Sequence, residues 1–424
     1  MSDPVPAQEF ENVPCPFCGL LCDDLRISIG GGSINVSANG CARSRRLFSA
    51  QAGADTGCAI DGRSASFDQA LSRATGILRQ ARRPLMLSAG TDVAGMRELV
   101  ELAELSGGIV DHVNRETMFR NLRVLQDTGW ISTTLTEIRN RADLLIIAGN
   151  AVSSRFPRFF ERCFGPFDTL FETGARELIF LGSLPDDVPE VLKARTTVFP
   201  FGLDRLAEVI AFLRALLAGR PMRASDVAGL SLEQLSSLVA RMRAAKYGVI
   251  SWTASEFNFA QADLAIQAIC DLVRDLNRET RFSILPLGGS DGDITAQQVT
   301  TWQTGFPVGV DFRAGAPSQA SSSTHASILT GRSEVDALLF VSAFDSDKTP
   351  PATNLPTIVL GRAGMQPGNC AAFIPIGVPG LHHSGHLYRT DNVVAIRMRQ
   401  IAKSAYPSAA QVLRKILDAC RETT

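Results

Sequence analysis

Apolar and polar positions alternate with a period of two over Leu25–Ile29 and again over Ile34–Ala38, the pattern of two half-buried strands. Gly30-Gly31-Gly32-Ser33 between them supplies the positive φ of a tight turn, so the pair reads as a hairpin. Its predicted register sets residue 29 opposite 34, 25 opposite 38 and 22 opposite 41. From residue 67 the period changes. Phe67, Ala70, Leu71, Ala74, Ile77 and Leu78 fall on one helical face, and Pro84–Ala89 is a short apolar strand. Asp92 then caps a helix whose face is Val93, Met96, Leu99, Val100 and Ala103; Gly107-Gly108 ends it and Ile109–His112 begins the next strand. Strands follow at 143–150, 177–183, 247–252, 282–287, 336–343 and 356–361. Helices are expected over Leu203–Leu217 and from Ser231, which pairs with Gln234 as a capping box. The polar stretch 318–324 reads as a loop tip, and no fixed-period repeat is present. This rhythm predicts an α/β fold with parallel sheets covered by helices, behind a small amino-terminal lobe.

Composition narrows the function classes. The chain has 424 residues, enough for two or three domains with real cores. Net charge is −1, so nothing marks a nucleic-acid or anionic-membrane surface. The start, MSDPVPAQEFENV, has neither a basic nor an apolar leader region, and no run is long enough to span a bilayer. A cytoplasmic location with reduced thiols is expected, and the nine cysteines show no disulfide framework.

Four of those cysteines carry the strongest chemistry. Cys15, Cys18, Cys22 and Cys41 are spaced C-x2-C-x3-C-x18-C, and the hairpin brings Cys22 and Cys41 together beside the turn holding Cys15 and Cys18. Four thiolates converging on one point suit a [4Fe–4S] cluster or tetrahedral zinc; the alternative is a vacant site of reduced, structural cysteines. Other candidates are weaker. GGSDGD (288–293) follows a strand but lacks the spacing of a dinucleotide fingerprint. His382, His383 and His386 lie among Pro379, Gly380 and Gly385, which favours a loop over a metal-binding helix face. Asp186-Asp187 and Asp345/Asp347 read as solvated turns. Trp302, Phe306 and Phe312 are expected to be exposed apolar contacts, with core packing as the alternative.

The run CPFCGLLCDD resembles the amino terminus of the B subunit of formylmethanofuran dehydrogenase, a member of the molybdopterin oxidoreductase superfamily. QDTGW (126–130), EIRNRADLLIIAGN (137–150), TWQTGFPVGVDF (301–312), CAAFIPIGVPG (370–380) and GHLYRTDNVVAIRMR (385–399) resemble segments of the same protein, so the likeness spans nearly the whole chain. It implies a cysteine lobe over residues 1–60, then two Rossmann-like domains. One is split, 61–112 with 246–424, and the other, 113–245, is inserted. In that family a cysteine or selenocysteine ligates tungsten or molybdenum shortly before the helix leading to the Gln-Asp pair. Here the stretch HVNRETMFRNLRVLQD (112–127) has no cysteine, and Thr117 falls near the ligand position, flanked by Glu116 and Met118. A neutral hydroxyl replaces a soft thiolate poorly. The loop that lines the pterin in the family is AVSSRFPRFFERC here, where Phe156, Phe159 and Phe160 either fill the pterin's space or are core aromatics.

The chain therefore looks like the B subunit of the bacterial formyltransferase/hydrolase complex, which the resemblance makes a redox-inactive scaffold with no catalytic residue of its own and no molybdopterin or tungstopterin. Expected partners are the amidohydrolase-like A subunit together with the C and D subunits, with no nucleic acid and no membrane. The rival is an active molybdenum- or tungsten-pterin dehydrogenase using Asp111, Glu116 or Thr117 as an unusual ligand.

Overall fold

The computed structural model describes residues 7–50, 56–171, 176–185, 188–320 and 335–422. They fall into two units, Met1–Arg115 with Gly289–Thr424, and Glu116–Gly288.

The first unit opens with a three-stranded antiparallel sheet, β1 (Gln8–Val13), β2 (Leu25–Gly30) and β3 (Ser33–Ala38), with β2 central. Ile29 faces Ile34 as the alternation predicts. Further along, Ile27 faces Val36 and Arg26 faces Ala38, so Ser37 is an extra residue and the predicted pairing of 25 with 38 slips by one. Helix α1 (Ala42–Ser49) follows, then β4 (Cys58–Ile60), β5 (Arg63–Ala65), α2 (Phe67–Gln80), β6 (Pro84–Ser88), α3 (Val93–Ser106) and β7 (Ile109–His112). The termini of these helices follow from their caps. Ser66 and Gln69 form a capping box on α2, Asp92 accepts from the Gly95 amide at 3.0 Å to open α3, and Gly107 closes α3 at φ 63°.

The chain leaves through α4 (Arg115–Thr128), then runs α5 (Leu135–Arg141), β8 (Leu144–Ala148), α6 (Val152–Arg155), α7 (Phe159–Cys163), β9 (Glu177–Leu181), α8 (Glu190–Lys193), β10 (Thr196–Phe199) and α9 (Leu206–Leu217). A small ribbon, β11 (Asp226–Val227) and β12 (Leu230–Ser231), precedes α10 (Leu232–Ala244), β13 (Gly248–Thr253), α11 (Ala262–Leu276) and β14 (Phe282–Leu287). The predicted Ser231–Gln234 capping box opens α10. The longer strands form one parallel sheet, ordered β10-β9-β8-β13-β14. Its core gathers Ile146, Ile179, Leu213, Leu238, Trp252 and Ile269, each fully buried. At roughly 1.5–3 kcal/mol for each such side chain removed from water, this packing is what holds the helices to the sheet.

The first unit then resumes with α12 (Asp293–Thr304), β15 (Val310–Asp311), β16 (Ser318–Gln319), β17 (Ala337–Ser342), β18 (Thr357–Arg362), β19 (Ala372–Ile376), the hairpin β20 (Gly385–Tyr388) and β21 (Ala395–Met398), and α13 (Ala409–Arg421). Its main sheet has nine strands, β16-β15-β7-β6-β17-β18-β19-β4-β5, with β7 through β19 parallel and the flanking strands antiparallel.

The boundary expected at residue 246 is corrected. Strand β13 pairs in parallel with β8 on one side, Gly248 facing Leu144, and with β14 on the other, Gly248 facing Phe282. Residues 248–287 therefore complete the five-stranded sheet, not the nine-stranded one. The stretch 318–324 begins as a short strand at Ser318–Gln319, and residues 321–324 lie outside the described residues.

Candidate functional site

The four cysteines lie in the first unit. The Cys15 amide donates to the Cys22 carbonyl at 2.8 Å and the Leu21 amide to the Cys18 carbonyl at 3.1 Å, which folds residues 15–22 into a tight turn; Leu21 takes φ 45° to close it. Cys41 is the N-cap of α1, its Sγ accepting from the Ser44 amide at 3.4 Å. Cys15, Cys18 and Cys22 are buried and Cys41 is partly exposed. Burial pushes the Cys15 thiol well up, and the charges of Cys18, Cys22 and Cys41 push the same way. Burial also raises Cys18, against the pull of Arg43. The buried environment thus disfavours the thiolate form, which a bound cation would stabilise.

The turn meets the chain at Gly289 and Thr390. Gly289 takes φ 92°, and a Cβ there would stand 2.4 Å from the Cα of Gly19, so backbone meets backbone with no room for a side chain. The Thr390 amide donates to the Gly19 carbonyl at 2.8 Å. Below Gly289, Asp293 accepts from the Gly289 amide at 2.6 Å and from Asn114 Nδ2 at 3.3 Å. Burial, reinforced by the charge of Asp291, raises the Asp293 carboxyl to about 7. Asp291 is itself buried, with Lys348 Nζ at 3.0 Å and Arg43 Nη2 at 3.9 Å. His112 accepts at Nδ1 from the Asn114 amide, so its Nε2 carries the hydrogen and donates to the Asp291 carbonyl at 3.0 Å; Asn114 Nδ2 donates to the Ser290 carbonyl at 3.1 Å. The GGSDGD loop thus supports the cysteine turn directly.

Two arginines that the sequence pattern left unmarked anchor the lobe. Arg46 on α1 pairs with Asp345 and Asp347, each at 2.8 Å. The solvated-turn expectation is corrected for Asp345 alone, which is buried, with Arg46 helping to hold its carboxyl below the usual range despite the burial; Asp347 is exposed, as expected. Arg362, at the end of β18, is fully buried and donates to the Phe344 carbonyl and the Leu47 carbonyl, with its guanidinium 5.6 Å from the Phe17 ring centroid. Burial lowers its ionisation to about 10. An arginine ending the apolar run PTIVLGR was the available signal.

The remaining predicted residues divide between the two units. Thr117 is half-buried in the first turn of α4, between exposed Glu116 and buried Met118. Asp111 is fully buried and pairs with Arg115 at 3.1 Å. Phe156, Phe159 and Phe160 are core aromatics of the second unit, with Phe160 6.3 Å from Phe180 of β9. His382 is partly buried, accepts from the Val378 amide at 3.1 Å, and is lowered to about 4 by burial, while His386 is exposed on β20. Of the three apolar contacts expected on the surface, Trp302 is exposed and Phe306 half-buried, but Phe312, just past β15, is buried, which corrects the exposed expectation in favour of core packing. Asp186 and Asp187 lie outside the described residues.

The quartet fits a metal in donor chemistry, with soft sulfur ligands in a buried turn. It does not present a closed ligand set: among the described residues, no three His, Cys, Asp or Glu side chains form a group that could hold a metal ion. Among the described residues, too, no helix is long and apolar enough to cross a membrane.

Fold and turn define a class: an α/β chain of two Rossmann-like units, led by a four-cysteine lobe. No family model matches the chain. It is 28% identical over 412 residues to the B subunit of the tungsten-containing formylmethanofuran dehydrogenase 2 of Methanocaldococcus jannaschii, covering 92% of this chain and 93% of that one. It is 26% identical over 366 residues to the Fhc B subunit of the formyltransferase/hydrolase complex of Methylorubrum extorquens, covering 85% and 96%. Among solved structures it superposes on a chain from the crystal structure of the formyltransferase/hydrolase complex FhcABCD of Methylorubrum extorquens with methylofuran, at a TM-score of 0.74 and 26% identity, covering 86% of this chain and 99% of that chain. The chain is a homologue of the B subunits of formylmethanofuran dehydrogenase and of Fhc.

Proposed function

We propose that this chain is the redox-inactive B subunit of a cytoplasmic formyltransferase/hydrolase complex that moves a formyl group from tetrahydromethanopterin to methofuran and releases formate. Its own part is to hold the partner subunits, an amidohydrolase-like A subunit together with the C and D subunits. The observation that carries this reading is the run without cysteine from Ala59 to Arg162. Near where the dehydrogenase family places a thiolate or selenolate on tungsten or molybdenum, this chain has Thr117, flanked by Glu116 and Met118. Identity alone does not decide, since the tungsten-containing relative is 28% identical and the Fhc relative 26%.

That same near-equality keeps a second reading in play, a dehydrogenase catalytic subunit with an unusual ligand. It has poor material to work with. Asp111 is engaged by Arg115, Glu116 is exposed, and a threonine hydroxyl is a weak ligand for a soft, high-valent metal.

The quartet, on our reading, holds a [4Fe–4S] cluster or zinc in a structural role. Binding would supply a cation that stabilises the buried thiolates and would draw the four sulfurs inward. Cys15, Cys18, Cys22 and Cys41 would be its ligands.

The test is to express the chain with and without three partner subunits, measure metal and pterin content, and assay both formate release and dye reduction. We expect formate release only from the assembled complex, no dye reduction in any combination, and no molybdenum, tungsten or pterin. Dye reduction by the isolated chain, with near-stoichiometric tungsten or molybdenum, overturns the scaffold reading.

A further inference from the structure

One surface of the first unit combines an exposed indole with a basic rim. Trp302 is 49% exposed on α12, and its ring meets Tyr388 edge-on with centroids 6.0 Å apart. The hairpin β20–β21 is stapled to that helix: the Tyr388 amide donates to Thr295 Oγ1 at 2.9 Å, and Gln298 Nε2 donates to Asn392 Oδ1 at 3.1 Å. Register then fixes which side chains join the indole. His386 faces Arg397 and Tyr388 faces Ala395, and directly opposed residues project on the same side of a ladder. Leu387 and Met398 project to the other side and are buried. The outward face is therefore His386, Tyr388, Ala395 and Arg397, continued by Trp302 and by Val393, 62% exposed, at the hairpin tip.

Arg397 and His386 are exposed and form no ion pair among the described residues, while Arg399 donates to the Glu11 carbonyl at 3.2 Å and lies 5.9 Å from the Phe10 ring centroid. The hairpin's one carboxylate, Asp391, is buried and taken by Arg389 at 2.6 Å, and the one carboxylate of α12, Asp293, is buried. An exposed tryptophan flanked by arginine is the composition that concentrates binding energy at protein interfaces.

We propose that the Trp302–Tyr388–Val393 face docks a partner subunit that offers an apolar pocket for the indole, ringed by carboxylates that meet Arg397 and His386. This deepens, and rests on, the reading of the chain as one member of a complex. The experiment co-expresses the tagged chain with its three partner subunits and measures how much of each is recovered. The variants are Trp302→Ala, Arg397→Glu and, as a control elsewhere, Leu264→Ala, an exposed apolar residue on α11. Thermal melts of each isolated chain check folding. Trp302→Ala and Arg397→Glu should keep the wild-type melting temperature and lose at least about tenfold of one partner, with Leu264→Ala unaffected, in line with hot-spot energetics. Recovery of all partners at the wild-type level by both variants overturns the surface and leaves the proposed function standing. Failure of the wild-type chain to recover any partner overturns both. Binding of the wild-type chain to phosphatidylserine vesicles, lost in both variants while partner recovery is unchanged, also overturns the proposal, in favour of a membrane.

Discussion

At the scale of the residue, Asp293 has the clearest consequence. Its carboxyl rises to about 7 in the folded chain through burial and the neighbouring Asp291 charge, against an ordinary 3.8. The folded state therefore holds the proton more tightly than the unfolded state. Stability from this group is fully present below about pH 4 and is lost as pH climbs to about 7, after which it is flat. The linkage amounts to on the order of 4 kcal/mol across that window. Asp293→Asn, neutral throughout, should flatten the slope between pH 4 and 7, gaining on the wild type at pH 8 and not at pH 4. Urea midpoints measured across the range check this, and a parallel slope in the variant contradicts it. The sequence named the GGSDGD loop but not this role. Asp293 becomes unusual only because Gly289, Asn114 and Asp291 close around it, and the Asn114 contact spans a sequence separation that no local pattern encodes.

Elements were the most legible scale, and caps explain why. Ser231–Gln234 and Asp92 are local signals, readable within a few residues, and each opens the helix it predicts. The slip at Ser37 was not legible, because a bulge leaves the alternation on either side intact. Helix α1 shows one residue serving two purposes. Cys41 caps it through Sγ and is also the distant member of the quartet. Serine is a strong N-cap, so Cys41→Ser keeps the hydrogen bond to the Ser44 amide while removing a soft ligand. If the quartet binds metal, this variant should lose at least about half of the bound iron or zinc while its far-ultraviolet circular dichroism stays unchanged. Unaltered metal content would show that Cys41 is a cap and nothing more.

At the scale of the molecule, the count of two Rossmann-like units came from the family resemblance, periodicity giving only the α/β rhythm, and their membership was not legible. YGVISW has the same apolar run whether it joins one sheet or the other; parallel pairing of Gly248–Trp252 with Leu144–Ala148 decides it. Glu116–Gly288 is continuous in sequence and carries its own five-stranded sheet and core. Expressed alone, residues 116–288 should unfold in one cooperative transition, whereas residues 7–115 alone should not, because β6 lies between β7 and the much later β17. Thermal melts of the two fragments decide the matter.

The hydrogen bonds from His112 and Asn114 to the carbonyls of Asp291 and Ser290 bear on how much this chain can change. They fasten the point where the chain departs to the point where it returns, so residues 116–288 are, in polymer terms, a loop with clamped ends. The entropy of closing such a loop grows only with the logarithm of its length, and doubling it costs about 0.6 kcal/mol. An excursion held in this way can gain or lose whole elements while the clamped unit keeps its sheet, which places length variation among chains of this fold within residues 116–288 and keeps it out of the neck at residues 112–114 and 290–291.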